Sequence, residues 1–157
     1  MTIEAWRVCK PKYVRTAFDG EGAAREPGRW NERGQRVVYT ADSKALAVLE
    51  IIVHADAGLS AYYVLIPCSF GESLVEVLDP SSLPPRWSHL VDPSWAILQR
   101  LGGEWISSKR SAVLRVPTAV IPEQYNYLLN PEHPDFSKIQ VGNPMDFEPD
   151  LRLSRNR

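Results

Sequence analysis

Residues 36–55 read Arg36-Val-Val-Tyr-Thr-Ala-Asp-Ser-Lys-Ala-Leu-Ala-Val-Leu-Glu-Ile-Ile-Val-His-Ala55 and join two kinds of predicted secondary structure. The first part, 36–40, is rich in β-branched and aromatic residues and predicts a short strand. The second part, 42–55, consists of strong helix formers behind an Asp-Ser pair, either member of which can act as the N-cap of a helix. A tight turn between the two parts places Tyr39 close to the start of the helix.

The carboxylate of Glu50 is the most informative charge in this segment. Glu50 is the only charged residue from Ala45 to Val53, and in a helix it shares one face with Leu46, Leu49 and Val53. Burying an ionised carboxylate without a partner is costly or forces it to take up a proton. Glu50 therefore needs either a salt bridge or a ligand in a neighbouring cleft, and the helix alone leaves both open.

The rest of the chain predicts one mixed α+β domain. Short strands and helices alternate without the regular order of a βαβ series. The predicted elements are a strand at 5–9, a loop at 19–34, strands at 61–67 and 73–78 that could pair across a turn at 68–72, a helix at 92–101 with Pro93 in its first turn and Gly102-Gly103 at its end, and short strands at 112–116 and 118–121 separated by Pro117. Residues 1–157 are expected to form a single domain, with 138–157 as an extended or partly mobile tail.

Composition argues against several classes of function. The chain has 157 residues and a net charge of -1, which argues against direct nucleic-acid binding because that needs clustered cations. No apolar run approaches the ~20 residues that span a bilayer, and no signal-like segment is present, so we expect a cytoplasmic protein without membrane contact. Cys9 and Cys68 lie far apart without a metal-binding spacing, so they are expected to be reduced thiols with packing roles, and no metal site is expected.

Three polar residues outside the helix are candidates for ligand binding, and each has a plain structural alternative. Arg29, between a glycine and a tryptophan, can be held rigidly to grip a phosphate or a ribose hydroxyl, or it can stack on Trp30 at the surface. The hydroxyl of Tyr39 can face a ligand or bond backbone within the core. Ser111 can bond a ligand or cap a turn. The glycines form no standard nucleotide-binding motif, and no Ser/His/Asp set is legible.

Five segments follow one another in a recognisable order: Phe18-Asp-Gly-Glu-Gly-Ala23, Gly28-Arg-Trp-Asn31, Val38-Tyr-Thr-Ala41, Leu46-Ala-Val-Leu-Glu50 and Asn126-Tyr-Leu-Leu-Asn-Pro-Glu-His-Pro134. Together they resemble the RES-domain family, which is named for an arginine, a glutamate and a serine. The resemblance covers roughly residues 6–134. Members of that family are typically toxins of bacterial toxin–antitoxin pairs, resemble ADP-ribosyltransferases in fold, and consume NAD or transfer its ADP-ribose.

The resemblance implies an ADP-ribosyltransferase-like α+β fold, with short, mostly antiparallel strands around a central NAD cleft and helices at its flanks. It puts the family's arginine at Arg29, its active-site tyrosine at Tyr39 and its glutamate at Glu50. The serine is expected at Ser111, with Thr118 as the alternative because this chain reads Val-Pro-Thr where relatives would read Val-Pro-Ser. Asn126 is expected to contact the substrate.

The implied function is that of a toxin that depletes NAD by cleaving the nicotinamide–ribose bond through hydrolysis or phosphorolysis, with NAD as a substrate and no cofactor. Glu50 would stabilise the oxocarbenium-like charge on the ribose. The expected partner is a helix-turn-helix antitoxin of the Xre type, through which alone nucleic acid would be reached, and a second copy of the chain is another candidate partner. Two alternatives stay open: an ADP-ribosyltransferase that modifies a host protein, and an inactive interaction module in which Arg29 and Glu50 form a structural ion pair.

Overall fold

Strands hold more residues than α-helices in the computed structural model, which describes residues 1–55, 58–92 and 94–154. Single turns of 3-10 helix connect several of them, among them the turn Trp87–His89. The strands are β1 (Thr2–Cys9), β2 (Val38–Ala41), β3 (Tyr63–Gly71), β4 (Val75–Val77), β5 (Val113–Pro117), β6 (Tyr125–Leu129), β7 (Gln140–Val141) and β8 (Met145–Phe147). The helices are α1 (Glu21–Arg25), α2 (Lys44–His54) and α3 (Ala96–Ser108).

The strands form one sheet in the order β4-β5-β6-β2-β1-β3-β7, and β8 pairs with β3 as well. Every pairing in the described part of the chain is antiparallel except β4 with β5. The predicted α+β class with mostly antiparallel strands is therefore confirmed. In the centre of the sheet Tyr39 pairs with Leu128 and Ala41 pairs with Asn126. Because side chains alternate between the two faces of a strand, Tyr39 and Asn126 lie on the same face.

Helix α2 crosses that face and carries Glu50. It begins as predicted behind an N-cap, since the hydroxyl of Ser43 accepts the backbone N–H of Leu46 at 3.1 Å. Leu46 and Ala47 are buried against the sheet, whereas Val53 is 54% exposed. The buried stripe is thus narrower than the sequence predicts, and Glu50 lies at its border.

Two strand predictions are wrong. β4 does not pair with β3; it pairs in parallel with β5, because the 3-10 turn Glu72–Leu74 directs the chain away from β3 in place of a hairpin turn. Residues 118–121 form no strand, and the chain turns there so that the N–H of Thr118 bonds the carbonyl of Gln124 at 3.1 Å. That turn leads into β6, which the sequence analysis missed. Pro117 occupies the last position of β5 and pairs with Tyr125.

Helix α3 differs from its prediction at both ends. It starts at Ala96 and runs through Gly102 and Gly103 to Ser108, and Pro93 lies outside the described residues. Glycine is a poor helix former, costing about 1 kcal/mol relative to alanine. Here the two glycines let the loop after α1 approach the helix, since a Cβ on Gly102 would overlap the carbonyl oxygen of Trp30. Close packing therefore outweighs the helix-terminating tendency of the Gly-Gly pair.

The core is divided between the two faces of the sheet. The largest cluster lies on the face opposite the site, and a second packs α3 against the site-bearing face through Leu98, Trp105 and Ile106. A smaller cluster lies under α2, and another surrounds Cys9 and Ala17. Cys9 and Cys68 are buried free thiols, as expected. None of the helices in the described ranges has the length and apolarity that a membrane crossing requires.

Candidate active site

A cleft of about 660 Å³ opens on the face of the sheet that carries Tyr39. This volume falls within the roughly 300–1,000 Å³ of typical ligand pockets. Residues from separate parts of the chain line it, including β1, the 28–30 loop, β2, α2, the 88–91 segment and the β5–β6 turn. Of the predicted site residues, four line the cleft and one does not. Those in the lining are Arg29, Tyr39, Glu50 and Asn126.

Two neutral donors hold the carboxylate of Glu50. Its Oε1 accepts the hydroxyl of Thr118 at 2.6 Å and the side-chain amide of Asn126 at 2.9 Å. The hydroxyl of Thr118 accepts the N–H of Val120 at 3.1 Å, so its own proton is free to point at Glu50. One donor lies in the β5–β6 turn and the other in β6. Together they hold the carboxylate, which α2 carries, at the β5–β6 end of the cleft.

The second oxygen of Glu50 has no such donor among the described residues. The nitrogen nearest to it among the described basic side chains is Nδ1 of His54, which lies 4.0 Å from Oε2. That nitrogen is 2.7 Å from the backbone oxygen of Glu50, which can only accept, so His54 donates to the end of its own helix. The side chain of Glu50 is 25% exposed. Oε2 is therefore available to a ligand in the cleft.

Tyr39 is locked into the loop that precedes it. Its hydroxyl donates to Oδ1 of Asn31 at 2.6 Å and accepts the N–H of Trp30 at 3.1 Å. Asn31 is fully buried, and the same Oδ1 accepts the N–H of Gly28 at 2.9 Å. Burial raises the pKa of Tyr39 well above its ordinary value, and the hydrogen bond from Trp30 and two nearby arginines only partly oppose that rise. The phenol is therefore a neutral, fixed wall of the cleft, and it lends its rigidity to the loop that carries Arg29.

Arg29 reaches from that loop to the opposite wall. Its Nη1 donates to the carbonyls of Trp87 at 3.3 Å and Leu90 at 3.0 Å, and its guanidinium lies 5.2 Å from the ring centre of Trp95. It stacks on Trp95, not on Trp30 as the surface alternative required. Burial lowers the pKa of Arg29, and the charge of Glu50 opposes this. No ion pair within 4.0 Å joins Arg29 to Glu50, both of which belong to the described part of the chain.

Ser111 lies at the junction of α3 and β5 and does not line the cleft. Its hydroxyl accepts the indole N–H of Trp105 at 2.8 Å and donates to the carbonyl of Val113 at 2.9 Å. The hydroxyl of Ser111 therefore both accepts and donates within the fold, and neither bond faces the cleft. Thr118, the alternative position for the family's hydroxyl, lies in the cleft on Glu50.

Two functional candidates escaped the sequence analysis. The sequence indicated Asn31 only as part of the Gly28–Asn31 segment. Its role in holding Tyr39 could not be predicted, because a buried asparagine differs from an exposed one only in its tertiary contacts. Arg7 lies on β1 and lines the cleft. The signal for Arg7 was a cation within an alternating apolar strand, which is equally typical of a solvent-facing position.

Comparison with known proteins adds an independent line of evidence. The model of the RES domain matches residues 4–155. The "Prs ADP-ribosylating toxin" of Sphingobium sp. (strain YBL2) is 38% identical over 162 residues, covering 99% of each chain. "Toxin Res" of Photorhabdus laumondii subsp. laumondii is 38% identical over 150 residues, covering 94% of this chain and 95% of the relative.

The fold has a counterpart among solved structures. The chain superposes on one described as the crystal structure of the M. tuberculosis MbcT-MbcA toxin-antitoxin complex, with a TM-score of 0.70. The superposition covers 94% of this chain and 85% of the other at 20% sequence identity. A structural similarity at 20% identity supports the fold assignment alone. Family membership rests on the match to the RES domain and on the sequence relatives.

Proposed function

This chain belongs to the RES domain family of toxins, and from that premise we propose that it consumes NAD by cleaving the bond between nicotinamide and ribose. The observation that carries the proposal is the setting of Glu50. Thr118 and Asn126 hold one oxygen of its carboxylate, and the other oxygen is available in a cleft that Arg29 and Tyr39 also line. A fixed carboxylate is the group required where positive charge develops on a sugar.

The chemistry needs one carboxylate. The bond between C1′ of the ribose and N1 of nicotinamide breaks, and its electron pair leaves with the ring, which turns from a pyridinium into neutral nicotinamide. No general acid is therefore needed for the leaving group. The oxocarbenium-like ribose is stabilised by Glu50, whose available oxygen can also accept the 2′-hydroxyl. A water oxygen then bonds to C1′ and loses a proton to solvent, or a phosphate oxygen bonds there instead.

The other residues of the cleft bind and orient NAD in this proposal. Arg29 has nitrogens beyond the Nη1 that its carbonyl contacts use, and these can bind a phosphate or a ribose hydroxyl. Tyr39 presents a neutral ring for the nicotinamide side. The amide oxygen of Asn126 is buried without a partner among the described residues, so it is an acceptor for a donor group of the substrate.

The test is an assay of nicotinamide release from NAD by the purified protein. Glu50→Gln keeps the size of the side chain and its contacts but removes the charge. We expect its kcat to fall by about 10²–10³, the loss typical of a group that stabilises charge in a transition state. Its thermal unfolding should stay close to that of the wild type.

Three results would count against the proposal. Wild-type protein that leaves NAD intact in the presence of water, phosphate and cell extract cannot be an NAD-consuming enzyme. A folded Glu50→Gln variant with the wild-type rate would remove Glu50 from the chemistry. A variant that loses stability and no activity would return the carboxylate to a structural role.

A second reaction deserves the same assay because of one relative. The 38% identical protein of Sphingobium is named an ADP-ribosylating toxin, so transfer of ADP-ribose to a protein is the alternative fate of the same ribose carbon. NAD labelled in its adenine, incubated with cell lysate, separates the two. Label on a protein band favours transfer, and label recovered as free ADP-ribose or its phosphate favours glycohydrolysis or phosphorolysis.

We further propose a cytoplasmic setting in which a helix-turn-helix antitoxin of the Xre type neutralises the protein. The solved structure with the same fold is described as a toxin-antitoxin complex. Co-expression of this chain with a small helix-turn-helix protein encoded by a neighbouring gene should restore growth. The two proteins should also co-purify. Failure to bind any such neighbour would contradict this part of the proposal.

A further inference from the structure

His54 is a histidine of the cleft that the proposed reaction does not yet use. It is the last residue of α2, four positions beyond Glu50, and it lines the same cleft. Its Nδ1 lies 4.0 Å from Oε2 of Glu50, the oxygen that is available to a ligand. That distance is too long for a direct hydrogen bond, but it lets both side chains contact one bound molecule. The imidazole therefore borders the space onto which Glu50 opens.

The contact of His54 with its own helix decides which ring nitrogen holds a lone pair. Nδ1 lies 2.7 Å from the backbone oxygen of Glu50, which can only accept, so Nδ1 carries the hydrogen. In a neutral imidazole the other nitrogen, Nε2, is then an acceptor. The described residues provide no hydrogen-bond partner for Nε2. The end of α2 thus orients a proton acceptor beside the proposed ribose site.

The surroundings of His54 stabilise the cation that forms when it takes up a proton. The C-terminal end of α2, where His54 lies, is the negative end of the helix dipole. The carboxylate of Glu50 supplies a second negative charge at 4.0 Å. A carboxylate beside a histidine stabilises the imidazolium in the same way in serine hydrolases. His54 therefore combines a free lone pair with a setting that tolerates the transferred proton.

The second histidine of the cleft lacks this setting. His89 belongs to the 88–91 segment, and its Nδ1 lies 3.3 Å from the hydroxyl of Ser88. No carboxylate lies within 4.0 Å of its ring nitrogens among the described residues. Of the two imidazoles, only that of His54 is placed beside the glutamate that acts on the ribose.

We propose that His54 is the general base that activates the water attacking C1′ of the ribose. The inference rests on the proposed function, because it needs the ribose charge that Glu50 stabilises. The water oxygen forms a bond to C1′ while its proton passes to Nε2, and the imidazolium later releases that proton to solvent. Nicotinamide leaves with the electron pair of the broken bond, so NAD and water give ADP-ribose, nicotinamide and one proton.

The position of the water follows from the proposed contact of Glu50. Oε2 accepts the 2′-hydroxyl, whose carbon is bonded directly to C1′. A water held at the imidazole beside Oε2 is therefore next to the reacting carbon. A general base needs this proximity, either in direct hydrogen-bond reach of the proton or through one further water.

The first test is the hydrolysis of NAD by His54→Asn. Asparagine offers an amide N–H in place of Nδ1, so the contact with the helix can persist, but it has no counterpart of the Nε2 lone pair. We expect kcat for nicotinamide release to fall about 10²–10⁴-fold, the usual contribution of a general base, with KM within about 3-fold of the wild type. Thermal unfolding should change little, because the side chain is 54% exposed.

The matched control is His133→Asn. His133 does not line the cleft, and its Nδ1 accepts the N–H of Asp135 at 2.9 Å. The side-chain oxygen of asparagine can accept the same N–H. We expect this variant to hydrolyse NAD within about 2-fold of the wild-type rate, because its histidine lies outside the site.

Azide separates a base from a residue that only supports the site. Azide is an anionic nucleophile without a proton, so its attack on C1′ needs no base and gives ADP-ribosyl azide. We expect azide to accelerate nicotinamide release by His54→Asn at least about 10-fold and by the wild type less than about 2-fold. If His54→Asn does not fold, single-turnover hydrolysis by the wild type decides: it should be slower in D2O, and equal rates in H2O and D2O overturn the inference.

The outcomes that overturn the inference leave the proposed function recognisable. A folded His54→Asn variant that hydrolyses NAD at the wild-type rate removes His54 from the chemistry, and NAD cleavage stands. A slow variant that azide does not accelerate assigns His54 a structural role instead. A wild type that cleaves NAD with phosphate but not with water has no acceptor water to activate, which overturns the inference alone. Only a wild type that leaves NAD intact with every acceptor overturns the proposed function itself.

Discussion

At the scale of single residues, two hydroxyls near the ends of β5 illustrate how position decides role. Ser111 and Thr118 are both candidates for the family's serine. The hydroxyl of Ser111 bonds the indole of Trp105 and the carbonyl of Val113, whereas the hydroxyl of Thr118 donates to the carboxylate of Glu50. The geometry therefore favours Thr118 as the residue that positions the carboxylate.

Thr118→Val tests this preference because valine keeps the shape of threonine and removes its hydroxyl. Glu50 loses one of its two donors, so we expect kcat for NAD cleavage to fall about 10-fold, with 1–3 kcal/mol of stability lost with the hydrogen bond. Thr118→Ser retains the hydroxyl and should retain most of the rate. Steady-state kinetics and denaturant unfolding of the pair give both quantities.

Ser111→Ala is the matched experiment at the other hydroxyl. It leaves the indole N–H of Trp105, a fully buried side chain, without its acceptor. A loss of about 1–3 kcal/mol in the free energy of unfolding is expected, with kcat close to that of the wild type. The opposite pattern, with activity lost at Ser111 and kept at Thr118, would restore Ser111 as the substrate-binding residue.

At the scale of elements, α3 supports the loop that carries Arg29. The loop that carries Arg29 rests on the helix through Gly102, and Gln99 of the same helix donates to the carbonyl of Gly28 at 3.0 Å. The predicted end of α3 at Gly102-Gly103 is wrong for this reason. A Gly-Gly pair weakens a helix by propensity, but it also provides the only side-chain-free surface on which a backbone can rest.

Gly102→Ala measures that contact. Its Cβ would collide with the carbonyl oxygen of Trp30, so we expect a loss of about 1–3 kcal/mol or more, as in overpacked cores. The control is Gly22→Ala, where nothing lies within 4 Å of the added carbon and stability should hold or rise. A Gly102→Ala variant as stable as the wild type would mean that the loop does not depend on this approach.

At the scale of the whole molecule, buried titratable groups link stability to pH. Burial raises the pKa of the Cys68 thiol from 9.0 to about 12, and it raises the pKa of Cys9 and Tyr127 in the same direction. The folded chain keeps the proton of Cys68 at a pH where the unfolded chain has lost it. This contribution is fully present below pH 9.0 and declines as the pH rises toward about 12.

Unfolding by urea at pH 8 and pH 10 should reveal the decline. At pH 10, one unit above the unfolded value, Cys68 alone accounts for a loss of about 1.4 kcal/mol. Cys68→Ala is less stable at both pH values because it leaves a small cavity, but its loss between them should be smaller than that of the wild type by the same amount, about 1.4 kcal/mol. Equal losses in the two proteins would show that the thiol does not titrate on unfolding.

Local patterns in the sequence determined the elements that stand on their own. The strand–helix unit at 36–55, the N-cap that starts α2, the strand class of β1 and β3 and the α+β class all follow from periodicity and capping, which act between residues close together in the chain. The misplaced charge of Glu50 could be found in the same way. The family resemblance then supplied Arg29, Tyr39 and Asn126, because an ordered set of motifs reports on residues that no local pattern connects.

Tertiary structure alone decided which groups meet. β4 pairs with β5, Thr118 and Asn126 hold Glu50, and Arg7 enters the cleft, all across long separations in sequence. Local propensity carries no information about such pairings, since their free energy comes from burial and hydrogen bonds that exist only once the sheet has formed. The sequence thus determined that the chain has a glutamate in need of a partner, and the fold decided that the partners are neutral donors on one oxygen and an open cleft on the other.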